Sequence, residues 1–88
     1  MYAVKHATPE SLDRLESLLT SLREMPELVE RKRGTFYRRS RAFLHFHEDP
    51  AGLFADVRLS DDFERLDISS RSQQDELLRR VRSALGGA

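Results

Sequence analysis

From Leu12 onward, apolar residues recur at intervals of three and four: Leu12, Leu15, Leu18, Leu19, Leu22 and Met25. That period places all six on one stripe of a helix and turns Asp13, Arg14, Glu16 and Arg23 to water. Thr8 suits the N-cap, Pro9 costs no hydrogen bond at the first helical position, and Glu10 faces the positive end of the helix dipole. Pro26 then ends the helix. After a charged connection over Glu27 to Gly34, the pattern changes to period two. Thr35 to Arg39 has strand composition, and Arg41 to His47 reads as a second strand, with Ala42, Leu44 and Phe46 on one face and Phe43, His45 and His47 on the other. Asp49-Pro50-Ala51-Gly52 is turn chemistry, and beyond it Leu53, Ala55, Val57 and Leu59 alternate with Phe54, Asp56 and Arg58, so a hairpin is predicted. Leu66 and Ile68 mark a fourth, edge-like strand. Ser70 with Gln73 forms a capping-box pattern, followed by the apolar stripe Leu77, Leu78, Val81, Ala84 and Leu85, with Gly86-Gly87 expected to stop the helix and a tail that frays.

The order helix, three or four strands, helix predicts an α+β two-layer sandwich: an N-terminal helix, a three- to four-stranded antiparallel sheet and a C-terminal helix, both helices on one sheet face. No linker-like stretch interrupts the 88 residues, so residues 1–88 form one small domain with an ordered core from about residue 9 to about residue 85.

Composition narrows the function classes. Fifteen Lys and Arg balance fifteen Asp and Glu, which argues against a polyanion binder driven by an overall positive field. Without cysteine there is no disulfide, thiolate chemistry or Cys-based metal site, and a cytoplasmic home is the expectation. The first eight residues lack a signal-peptide run and no stretch suits a membrane span, so no membrane partner is expected. Glycines stand singly or close the chain, which disfavours a phosphate-binding loop, and no nucleophile sits in a strained turn motif. The expectation is a non-enzymatic protein with no cofactor.

Three readings compete for its function. The preferred one is a binding or protein-interaction module, self-associating or holding a protein partner through the open sheet face of Phe43, His45, His47, Phe54, Asp56 and Arg58. The plainer explanation of that face is local covering by loops. The second is nucleic-acid binding through Arg31, Lys32, Arg33, Phe36, Tyr37, Arg38, Arg39 and Arg41, where cations meet phosphates and a ring stacks on a base. Zero net charge disfavours it, and the plainer alternative has Arg38 and Arg39 pointing to opposite faces of an edge strand and pairing with neighbouring acids. The third is a metal site in which His45 and His47, two apart on a strand, share a face with Asp56 of the next strand.

The segments Met25-Pro26-Glu27-Leu28-Val29-Glu30, Phe36-Tyr37-Arg38-Arg39 and Arg41-Ala42-Phe43-Leu44-His45-Phe46, behind an N-terminal helix, resemble the small bacterial MmcQ/YjbR-like proteins. The resemblance runs from about Ser11 to about Leu59. It implies a fold similar to the frataxin-like α/β sandwich, and a DNA-binding role that in that family rests on structural likeness to a phage double-wing transcription factor. Met25 stands where that pattern has Leu, and the family's late Trp and His-rich strand has no counterpart here.

Overall fold

The computed structural model describes residues 5–86. It is an α+β sandwich whose antiparallel sheet has six strands, more than the three or four expected. In chain order the elements are β1 (Lys5–His6), α1 (Pro9–Arg14), α2 (Glu16–Arg23), β2 (Val29–Lys32), β3 (Thr35–Arg38), β4 (Arg41–Asp49), β5 (Gly52–Val57), β6 (Glu64–Asp67) and α3 (Arg71–Gly86). The strand order is β2-β3-β4-β5-β6, with β1 also paired to β4.

The expected N-terminal helix begins at Pro9 as anticipated, with Thr8 Oγ1 accepting the Ser11 amide. It is divided at Leu15, whose amide bonds to the Leu12 carbonyl three residues back. The tightened turn suits the spacing of three from Leu12 to Leu15 to Leu18, because a three-residue turn keeps those positions on one line. All six residues of the stripe are buried. At the other end, Gln73 donates its amide to Ser70 Oγ and Gln73 Oε1 accepts from the Ser70 amide, the reciprocal capping box. The helix that follows runs through Gly86, while the expected fraying of Gly87 and Ala88 lies outside the described residues.

Both helical stripes pack on one face of the sheet, against Phe36, Leu44, Phe46, Leu53, Ala55 and Val57. Two strands escaped the sequence pattern. β2 is Val-Glu-Arg-Lys, mostly exposed at the sheet edge, where charge replaces alternation. β1 has only two residues.

One face assignment needs correction. Phe36 pairs with Leu44 but Tyr37 pairs with Ala42, so β4 carries an extra residue, Phe43, at a bulge. Strict alternation fails there, and Phe43 lies in the core at 2% exposure rather than on the open face beside His45. Among the described residues no helix is long and apolar enough to cross a membrane.

Candidate metal centre

β4 is the strand around which the candidate site is built. Its first half pairs with β3, its second half with β1 on the same side, and Leu44 to Asp49 pair with β5 on the other. Because directly opposed residues in antiparallel strands share a face, the register lays two rows across the outer surface. One row is His45, Asp56 and Arg65; the other is His6, His47, Phe54 and Asp67.

The rows bring together all three histidines of the chain. The His6 and His47 rings stack with centroids 4.9 Å apart, His45 meets His47 edge-on at 4.8 Å, and His6 lies 6.1 Å from His45. One ring nitrogen from each lies within 4.8 Å of the others. His45 Nδ1 is 2.8 Å from His47 Nε2, and His47 Nε2 is 3.1 Å from Asp56 Oδ2. His47 Nδ1 is buried without a regular hydrogen bond among the described residues, although the neighbouring Lys5 backbone favours a proton on this ring.

Asp56 fixes the arrangement from the side. Arg65 donates to both of its oxygens, Nε to Oδ1 at 2.7 Å and Nη2 to Oδ2 at 2.8 Å, and these bonds hold the carboxyl below its usual range. Asp56 is therefore an anion at neutral pH. Burial works the opposite way on the rings, because removing an imidazolium from water is unfavourable: His45 and His47 are both lowered from 6.5 by desolvation, which the Asp56 charge only partly offsets. His45 and His47 thus favour the neutral imidazole, the form that ligates metal, beside an ionised carboxylate.

The phenyl ring beside His45 is Phe63, 5.2 Å away and 38% exposed, with the Arg58 guanidinium 4.4 Å over it. Arg58 is held there by the carbonyls of Ala42 and Asp61.

Of the residues singled out from sequence, His45, His47, Phe54 and Asp56 share the outer face, while Arg58 lies at its margin and Phe43 has left it. Where the sequence offered Asp56 as the third ligand, the donor cluster is completed by His6, and Asp56, 3.1 Å from His47, is engaged by Arg65. Sequence reasoning passed over His6, Phe63 and Arg65; for His6 the available signal was that a chain with so few histidines places one just before a helix cap. The structure divides the basic segment: Arg38, Arg39 and Arg41 line one hollow with Arg58, and its other members lie elsewhere. Phe36 is fully buried, so it offers no face to a base, and Arg33 is committed to Asp13 and Glu16. Arg31 lies 4.9 Å over the Tyr37 ring, and Lys32 is exposed on β2. β3 is interior to the sheet and Arg39 lies in the turn after it, which removes the edge-strand account of Arg38 and Arg39.

In comparisons with known proteins, no family model matches the chain, and neither curated proteins nor solved structures give a match.

Proposed function

We propose that this domain binds a first-row transition-metal ion, with zinc as the reference case, through His6, His45 and His47. The observation that carries the reading is the convergence of every histidine in the chain on one patch of sheet, from strands far apart in sequence. Nitrogen donors without thiolates suit zinc, nickel or copper(II) rather than the harder oxygen-seeking ions. A tetrahedral ion about 2.0–2.1 Å from each nitrogen needs nitrogens about 3.3 Å apart, so on loading the 2.8 Å His45–His47 pair would open and wider separations, within 4.8 Å, would close. Asp56, anchored by Arg65, lies against the same His47 nitrogen that faces His45, so it would act as a negative charge beside the ion rather than as a partner of the far ring nitrogen. Three protein nitrogens leave a fourth position for water or a partner's donor atom.

With Phe43 in the core, Phe54 and Phe63 are what remains of the apolar character of this face, and polar groups dominate it. That balance favours a ligand site over an apolar contact patch. The test is thermal unfolding with added zinc chloride. Zinc in large excess over its dissociation constant is expected to raise Tm by roughly 10 °C in the native protein. The His6→Gln/His47→Gln variant is expected to show no rise. An equal rise in that variant would place the metal elsewhere and overturn the reading.

A further inference from the structure

At the opposite end of β4 from the histidines, the chain reverses from β3 in a two-residue turn, Arg39-Ser40, closed by the pair Arg38 and Arg41. Both turn residues have positive φ, 52° and 67°. That is the backbone of a type I′ hairpin, in which Asn-Gly is favoured because a Cβ is crowded in the left-handed region. Here the positions hold an arginine and a serine, so nothing in the turn's own conformational preference accounts for them. Non-glycine residues kept in such conformations concentrate where a site requires their side chains.

What the turn presents is charge. Arg38, Arg39, Arg41 and Arg58 line one concavity of about 140 Å³ together with Ser60. Arg58 is held in place by the two backbone carbonyls and the Phe63 ring, none of which carries a charge to neutralise it. Among the described residues none of these four arginines has a carboxylate within ion-pair distance; Arg14, Arg31 and Arg82 also lack one, but only these four are gathered around one hollow, whereas Arg23, Arg33, Arg65, Arg71, Arg79 and Arg80 are each paired. No Asp or Glu lines the concavity; of the nearest in sequence, Asp56 is held by Arg65, and Asp61 and Asp62 are exposed on the following loop. In a chain with as many acids as bases, four uncompensated guanidinium groups around one small hollow are a specific arrangement rather than a reflection of composition.

We infer that the β3–β4 hairpin and Arg58 form a phosphate-binding site. Guanidinium groups match a phosphate with paired N–H donors, and several of them gathered on one tetrahedral anion satisfy its oxygens together. The hollow is well below the roughly 300 Å³ at which small-molecule pockets begin, so it takes the phosphate group and leaves the rest of the ligand outside. Phe36 is buried, and the one aromatic ring that lines the hollow, Phe43, is buried as well, so the hollow itself offers no ring to a base. The ligand is thus read by its phosphate, carried either by a small free phosphate or by the phosphodiester backbone of a nucleic acid. Phe63 lies between this site and His45, but no histidine lines the hollow, and the inference does not depend on the metal reading.

The experiment is an amide NMR titration of the native protein with pyrophosphate and, separately, with a short single-stranded oligodeoxynucleotide, each at two salt concentrations. Saturable shifts confined to the segments 38–42 and 58–60 are expected, weakening as salt rises. Arg39→Gln/Arg41→Gln is expected to lose affinity by about tenfold or more, while Arg79→Gln, which removes one charge on α3, keeps it. Tighter binding of the oligonucleotide assigns the phosphodiester source; response to pyrophosphate alone assigns the free anion. If the double variant fails to fold, Arg39→Asn/Ser40→Gly replaces it, since those residues suit the turn. The inference is overturned if neither ligand moves these resonances, if shifts scatter over all cationic surfaces, or if the charge-depleted variant binds as well as the native protein.

Discussion

The two ends of β4 handle polar groups in opposite ways. Toward its C-terminal end, His45 and His47 face Asp56 and Arg65 in a hydrogen-bonded row, on regular paired backbone, with opposite charges matched. Toward its N-terminal end, Arg41 and its neighbours crowd a turn with two left-handed residues and find no counter-charge among the described residues. Between them stands the bulge at Phe43, which sends one side chain into the core and resets the alternation. A charge already satisfied within the protein and a charge left open imply different partners: the first region offers lone pairs to a cation, the second offers donors to an anion.

The comparison can be broken at the bulge first. Phe43→Ala is expected to cost about 3–5 kcal/mol, as for other buried aromatic truncations, and Phe54→Ala much less; denaturant unfolding of both variants checks this. Equal costs would put Phe43 on the outer face and merge the two regions. At the histidine end, Asp56→Asn removes the negative charge beside His47 Nε2 and is expected to weaken zinc affinity by about tenfold, read by competition with a chelating dye. At the hairpin end, Arg39→Asn/Ser40→Gly is expected to stabilise the fold by roughly 1–2 kcal/mol as the left-handed strain is relieved. A loss of stability there would mean that the native turn residues are held by contacts of their own.

The smallest effect uses a paired charge as the reference for the unpaired ones. Glu30 accepts from Arg23 and from the Gly34 amide, which holds its carboxyl below its usual 4.5. A carboxyl lowered in the folded state contributes stability that is present above the unfolded value and is lost as pH falls through the folded one. Unfolding midpoints from pH 6 to pH 3 are therefore expected to fall less steeply in Glu30→Gln than in the native protein. An identical slope in the two proteins would show the pair to be without effect.

How legible these regions were depends on how local their causes are. The helical stripe from Leu12 to Met25, the capping box of Ser70 and Gln73 and the turn before Gly52 rest on neighbours in sequence, and each is where the pattern put it. The outer placement of His45, His47, Phe54 and Asp56 followed from period two. Phe43 was misplaced because a bulge depends on the pairing of two strands, which no single strand displays. β2 was silent because an edge strand needs no apolar face, and Val29 remains 55% exposed. His6 was missed because its neighbours in space are set by register with β4, not by spacing along the chain.

The shortness of β1 gives the metal reading a topological side. Two residues of strand hold the N-terminal end of the described chain to the centre of the sheet, helped by the Thr8 amide donating to Glu48 across a separation of 40 residues. An ion shared by His6 and His47 would act there as a clasp, closing a long loop at its weakest point, and the cost of closing such a loop grows only slowly with its length. Loading the site would therefore change which part of the molecule opens first: the segment from Lys5 to Thr8, otherwise the natural place for exchange with solvent to begin, would open only together with the sheet centre.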